Sequence, residues 1–182
     1  MTARAVPFVL SRSEADVVDV GHLFVLHAPF LVRVVERLTG SPAQAEDIVQ
    51  EAFIVAHRRR RELRDQPEVR GWLYRVCANL VRQHRRSLWR KLRLLGAVAA
   101  EPTAAAPVPD DVAARRESGR KIRACILALP FDKREAFVLF ELEGESTRAV
   151  AALLGVPEGT VSSRLSSARE IFRAGWRAQE GT

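Results

Sequence analysis

Residues 70–93 read RGWLYRVCANLVRQHRRSLWRKLR, with eight basic residues, two tryptophans, one tyrosine and no acid. Guanidinium and ammonium groups neutralise phosphates, and exposed aromatic faces stack on unpaired bases, so this combination suits single-stranded nucleic acid. The plainer reading is a solvated basic helix face over core aromatics, although such faces ordinarily intersperse acids. Upstream, Glu46, Asp47, Gln50 and Glu51 share a helical face with Ile54. Acids cannot serve a polyanion, so an apolar residue among them marks either a solvated face or a docking anchor for another protein. Near the end of the chain, a helix that buries Val161, Leu165, Ala168 and Phe172 turns Glu158, Thr160, Ser162, Ser163, Arg164, Ser166, Ser167 and Arg169 outward. Small hydroxyls and arginines suit base edges and phosphates in a major groove, and an ordinary packing corner of two short helices is the alternative.

Enzymatic constellations are missing from the sequence. It has no phosphate-binding glycine loop, no GxGxxG and no nucleophile elbow. His22, His27, His57 and His84 are scattered, so none has an evident acid–base partner. Cys77 and Cys125 lie far apart with no CxxC, which argues against a disulfide framework or a zinc site and for small buried apolar groups. Catalysis, a cofactor and a bound metal are therefore not expected.

The elements that position these residues follow from composition and periodicity. The 182 residues, 47% hydrophobic and 28% charged, suit one medium or two small globular domains. No apolar run approaches the roughly 18 residues of a membrane span. Met1 to Leu10 lacks the long apolar core of a leader, so a cytoplasmic location and no stable membrane insertion are expected. The net charge of +7 is sorted along the chain. Residues 1–95 carry 17 bases and 10 acids, 96–114 carry three acids and no base, and 115–182 carry 12 and 9. The middle stretch, GAVAAEPTAAAPVPDDVAA, reads as a linker, because Pro102, Pro107 and Pro109 remove donors and favour extended backbone.

Apolar residues recur at helical spacing on both sides of this stretch, and the chain reads as all-α. A stripe of Leu23, Leu26, Phe30, Val34 and Leu38 ends at Thr39-Gly40. Ser41-Pro42-Ala43-Gln44 resembles a capping box that opens a helix with core residues Ala45, Ile48, Val49, Ala52, Phe53 and Ala56. Arg64-Asp65-Gln66-Pro67 interrupts, and a long helix runs from about Glu68 to Trp89. Beyond the linker, Ile122, Cys125, Ile126 and Leu129 form a seam ended by Pro130. Asp132-Lys133-Arg134-Glu135 matches a capping box for the next helix, which Gly144 closes. Ser146–Leu154, Gly155-Val156 and a helix from Pro157 to about Trp176 form a helix-turn-helix pattern, with Gly155 where the turn favours positive φ.

In this order, LTGSPAQAEDIVQEAFIVAHRR, RGWLYRVCANLVRQHRR, the linker, ALPFDKREAFVLFELEGES and LLGVPEGTVSSRLSSARE resemble an extracytoplasmic-function (ECF) sigma factor of bacterial RNA polymerase over about residues 18–178. The resemblance implies two small helical domains, region 2 in residues 14–95 and region 4 in 116–178, joined by an extended linker over 96–115. It implies docking of Asp47, Gln50, Glu51 and Ile54 on the β′ clamp helices of core polymerase, with the β flap as a further contact. It further implies that Arg70, Trp72, Arg75, Asn79, Arg82, Gln83 and Arg86 recognise the minus-10 element and its melted nontemplate strand. Glu158, Thr160, Ser162, Ser163, Arg164, Ser166, Ser167 and Arg169 would read the double-stranded minus-35 element, and an anti-sigma factor would hold the protein before induction. Four positions depart from the family pattern: Ser162 and Ser167 replace cations, Ala149 replaces the acid of a capping box, and Gln83 replaces a frequent Asp. The competing reading is a standalone helix-turn-helix transcription regulator, whose first domain would show a pocket-like apolar excess in place of cations and aromatics.

Overall fold

The computed structural model describes residues 18–94 and 110–180, and among them every regular element is helical. The stretch 96–109, the N-terminal Met1–Leu10, residues 14–17 and 95 of the expected first domain, and the side chains of Trp89, Lys91 and Arg93 in the basic stretch lie outside the described residues. The first domain contains α1 (Val20–Thr39), α2 (Pro42–Arg58), the single turn α3 (Arg60–Leu63) and α4 (Val69–Leu94). The second contains α5 (Asp110–Ala128), α6 (Phe131–Phe137), a π-helical turn (Val138–Leu142), α7 (Thr147–Leu154) and α8 (Glu158–Glu180). Helix α5 thus starts inside the stretch read as linker.

Local chemistry sets most boundaries. The Asp19 carboxylate accepts from the backbone of Gly21 at 2.9 Å and His22 at 3.1 Å, which starts α1. Gly40 ends it at φ +77°, and its N–H donates to the Glu36 carbonyl at 2.7 Å. Ser41 caps α2 by accepting from Gln44 N–H at 3.3 Å. The return arm of a capping box is absent, because Ser41 N–H donates to Thr39 Oγ1 at 3.2 Å. The α2 core residues Ala45, Ile48, Val49, Ala52, Phe53 and Ala56 are all buried, as their spacing predicts. On α1 the buried stripe is Ala28, Leu31, Val34, Val35 and Leu38, rotated from the expected one, and Leu26 is 60% exposed.

The second domain departs from its sequence signals at α6. Pro130 occupies the N-cap without a side-chain hydrogen bond, so the expected Asp132–Glu135 capping box is not formed. Arg134 and Glu135 are buried instead, within a run that continues through Leu139. Ser146 keeps its cap on α7 despite Ala149, since its Oγ accepts from Ala149 N–H at 3.2 Å; only the reciprocal carboxylate is lost. Gly155 takes φ +69° between α7 and α8, as the turn requires. Phe172 stacks on Phe137 with centroids 5.2 Å apart, tying α8 to α6.

The two domains pack on each other and share one contiguous core, in which Leu31, Val35, Leu38 and Leu73 join Ile126, Leu129, Ala136 and Leu153. Helix α4 lies against α7, and α1 lies against α5 and the π turn. Gly71 lies at the first contact: a Cβ there would meet the Ala152 carbonyl oxygen at 3.4 Å and Leu153 Cα at 3.8 Å, ordinary van der Waals contact, with the Arg75 guanidinium at 3.2 Å. Arg134 staples the second contact. Its Nη1 donates to the Leu38 carbonyl at 2.7 Å, and its Nη2 donates to the carbonyls of Leu129, at 2.9 Å, and Leu127. Burial lowers the Arg134 pKa to about 10, so it stays charged at neutral pH. Burial also pushes the Cys77 thiol up to about 12, which fits a structural rather than a reactive cysteine.

Arg134→Met keeps the volume but strands the carbonyls of Leu38 and Leu129. An unsatisfied buried acceptor costs about 1 to 3 kcal/mol, so the unfolding free energy should fall by about 3 kcal/mol. Urea denaturation followed by circular dichroism measures this, and a loss below about 1 kcal/mol would show that the staple contributes little.

Candidate nucleic-acid interface

Helix α4 carries the basic stretch on two faces. Leu73, Tyr74, Cys77, Ala78, Leu80 and Val81 face inward, which removes Tyr74 from the aromatic surface expected for base stacking. Trp72 is half-buried and packs against the same core. Asn79 and Gln83 are exposed, and Asn79 Oδ1 accepts from Arg82 Nη1 at 3.2 Å. Arg86 is exposed at an open cleft of about 400 Å³ that it lines with Arg82, Arg85, Phe131 and Asp132. The guanidinium carbons of Arg82 and Arg85 lie 4.7 and 5.4 Å from the Phe131 ring centroid.

Three α4 arginines, Arg70, Arg75 and Arg82, point at the second domain. Arg70 pairs with Glu145 while its guanidinium lies 3.8 Å from the Phe30 ring centroid. Arg75 Nη1 donates to the carbonyls of Ala152 at 3.1 Å and Leu153 at 3.4 Å, in the last turn of α7. Arg82 Nη2 meets Glu135 Oε2 at 2.5 Å, and Tyr74 donates its hydroxyl to Glu135 Oε1 at 3.0 Å. The Glu135 carboxyl is held above the ordinary range, because burial outweighs the opposing pull of Arg82, Tyr74 and Arg164. The same burial, reinforced by Glu135, keeps the Tyr74 hydroxyl protonated and well above its usual value.

The outward faces of α8 show the same habit. Arg164 lies 3.7 Å from Asp132, and Arg169 pairs with Glu141 at 2.7 Å. Ser162 Oγ donates to the Glu158 carbonyl at 3.2 Å and Ser163 Oγ to the Thr160 carbonyl at 3.1 Å, so both hydroxyls bond back to their own helix. Ser162, Ser163, Ser166 and Glu158 are exposed, whereas Thr160 and Ser167 are half-buried.

The acidic face of α2 stands apart from these contacts. Asp47, Gln50, Glu51 and Ile54 are all exposed, and Glu51 lies 3.7 Å from the His84 imidazole. Ile54 borders an open groove lined by Phe24, Gln50, Phe53, His57 and Arg58. Phe24 rests edge-on against Phe53 with centroids 4.9 Å apart and stays 44% exposed, next to Val25 and Leu26 on the same turn. The sequence reading missed this α1 contribution, since it assigned Leu26 to the core. It also missed the acids of residues 132–145, where Asp132, Glu135, Glu141, Glu143 and Glu145 face arginines. Five of the nine acids in residues 115–182 fall there, a density that a charge count over the whole second half conceals.

Comparison with known proteins matches residues 23–91 to Sigma-70 region 2 and residues 119–171 to Sigma-70, region 4. The ECF RNA polymerase sigma factor SigL of Mycobacterium tuberculosis is 36% identical over 153 residues, covering 83% of this chain and 85% of SigL. The RNA polymerase sigma factor RfaY of Xanthomonas campestris is 35% identical over 142 residues, which span 75% of this chain and 35% of that longer protein. Among solved structures, the sigma factor RpoE in complex with the anti-sigma factor NepR from Bartonella quintana superposes with a TM-score of 0.66. At 24% identity it shares the fold, over 86% of this chain and 96% of that one.

The raised Glu135 carboxyl has a testable sign. Folding favours its protonated form, so this group's contribution is full at acid pH and is lost as pH rises through the raised value. Unfolding free energies measured from pH 4 to pH 8 should therefore show a downward component that Glu135→Gln removes. Parallel pH profiles for the two proteins would contradict that assignment.

Proposed function

This chain belongs to the ECF RNA polymerase sigma factors and directs the polymerase to promoters; on that premise we propose how its residues divide the work. The acidic face Asp47, Gln50, Glu51 and Ile54 docks on the β′ clamp helices of core polymerase, with Phe24 extending the apolar part of that surface. Its support is an exposed apolar anchor among acids, on the side of α2 that the core does not use. Asn79, Gln83 and Arg86, with Arg70, Trp72, Arg75 and Arg82, take the minus-10 element and the melted nontemplate strand. Flipping a base out of the stack costs a few kcal/mol, which phosphate clamps and a base pocket must offset. No bond chemistry is needed, and the protein works in the cytoplasm beside the polymerase.

Helix α8 reads the minus-35 element in the major groove. A good bidentate base contact contributes about 1 to 3 kcal/mol of discrimination, so the absence of cations at Ser162 and Ser167 makes Arg164 and Arg169 the principal charged contributors. The second domain also meets the β flap. Two modest grips become selective when polymerase and the linker hold them at one spacing. The anti-sigma complex of a protein with the same fold supports an anti-sigma partner for this chain too. The region 2 match over residues 23–91 disfavours a standalone helix-turn-helix regulator, because it leaves no separate sensing domain among the described residues.

Asp47→Arg reverses one charge on an exposed face and should abolish capture of core polymerase while leaving the circular dichroism spectrum intact; Phe24→Ala should weaken capture by about tenfold. Unchanged capture by both would reject this docking face. Permanganate footprinting of open complexes on a promoter library tests melting, and Arg86→Ala should reduce it without altering polymerase capture.

A further inference from the structure

Arg82, Arg85 and Arg86 stand three and four positions apart on α4, so the three side chains share one side of the helix. With Phe131 and Asp132 of α6 they line the open cleft of about 400 Å³. Its cations outnumber the acids that could answer them. Glu135 is taken by Arg82 and Tyr74, and Asp132 lies 3.7 Å from Arg164 of α8. Among the described residues, Arg85 and Arg86 have neither a carboxylate partner nor a hydrogen-bond acceptor, and the half-buried Arg85 guanidinium rests on the Phe131 ring instead. The Arg134 pKa is lowered first by burial and then by the charge of Arg85, so a fourth cation feels the same cluster. Like charges at this spacing repel, and a partly buried cation without an acceptor is unfavourable. What the cleft lacks is an anion.

We propose that this cleft is a binding site for a small phosphorylated ligand of the nucleoside diphosphate class, with Arg85 and Arg86 as its principal phosphate contacts. A phosphate offers oxygens to two forked guanidiniums at once, and a diphosphate carries enough charge to compensate both free arginines. The size of the cleft argues for more than an inorganic ion, since small-molecule sites run from about 300 to 1,000 Å³. A planar heterocycle can also stack on a guanidinium. Phe131 holds the cations ready: the guanidinium carbons of Arg82 and Arg85 lie 4.7 and 5.4 Å from its ring centroid, so less side-chain freedom is lost on binding. The inference goes beyond the minus-10 reading and does not rest on it, because Arg85 has no part in that reading. Phosphate is the shared chemistry of a free nucleotide and a nucleic-acid strand, and the experiment separates these two sources.

The test titrates the full chain by calorimetry, at about 0.15 M salt, with inorganic pyrophosphate, adenosine diphosphate and unphosphorylated adenosine. The two phosphorylated probes should bind at one site and adenosine should not. Arg85→Gln should weaken both by about tenfold, the scale of one lost charge-assisted hydrogen bond. Arg177→Gln makes the same charge change at an exposed position near the end of α8 and should leave affinity within about twofold. Promoter melting by holoenzyme carrying Arg85→Gln should match wild type in permanganate footprints. If the circular dichroism spectrum of Arg85→Gln is lost, Arg85→Lys takes its place; it keeps the charge but loses the fork, and should weaken binding by about threefold. No binding of either phosphorylated probe, equal weakening by Arg177→Gln, or adenosine binding as tight as that of its diphosphate overturns the proposal. Binding of pyrophosphate without adenosine diphosphate overturns the ligand class. An Arg85→Gln protein that keeps its diphosphate affinity but loses promoter melting gives the cleft to the nucleic-acid strand and overturns the proposal too.

Discussion

Glu135 carries a carboxylate whose side chain is 1% accessible, and its two hydrogen-bond partners, Tyr74 and Arg82, belong to the other domain. A buried carboxylate must be paired and hydrogen-bonded, because an uncompensated charge in the interior is prohibitive and truncating one partner of a buried pair costs about 3 to 5 kcal/mol. The second domain cannot meet that demand alone in this packing. The position of α6 on α4 is thereby constrained, and its neighbours follow. Phe131 is brought beneath Arg82 and Arg85, and Arg134 is brought within reach of the Leu38 carbonyl at the end of α1. A seven-residue helix with Arg134 to Phe137 buried thus holds α1 and α4 at the same time.

The peripheral pairs do a different job from the buried one. Arg70 with Glu145 is partly solvated, and such pairs contribute about 0 to 1 kcal/mol, enough to select an orientation but not to hold it. Arg75 sits at the C-terminal end of α7, where the helix dipole and unpaired carbonyls favour a cation. The shared apolar core supplies the bulk of the cohesion, while the charges decide which surfaces meet.

Legibility followed from how local each determinant is. The α2 stripe from Ala45 to Ala56 was readable because a helix with one buried side repeats its apolar residues at fixed spacing. Gly40 and Gly155 were readable because positive φ is chiefly a glycine property. The α1 stripe was misplaced by a rotation, since Leu23 and Leu26 are as apolar as Ala28 and Leu31, and spacing alone cannot say which side a partner covers. At Asp132–Glu135 the letters of a capping box were present, but burial against Tyr74 and Arg82 claimed the Glu135 carboxylate before the helix end could. That is a tertiary demand with no local signature. The exposed candidates Asp47, Gln50, Glu51 and Ile54 were legible as a face, whereas the engagement of Arg70, Arg75 and Arg82 depends on residues 53 to 78 positions away.

Tethering explains why modest contacts suffice. Residues 95–109 separate the end of α4 from the start of α5, and a chain of that length reaches at most about 50 Å when extended. Within that radius the second domain is always near the first, so packing is an intramolecular event that a few kcal/mol can drive. Charge sets the register of that packing: Arg70, Arg75 and Arg82 of α4 take their oxygen partners from Glu145, from the Ala152 carbonyl and from Glu135 of the second domain. Of the acids in residues 132–145, Glu135 and Glu145 consequently determine how α4 presents its arginines, since each holds one of them across the domain boundary.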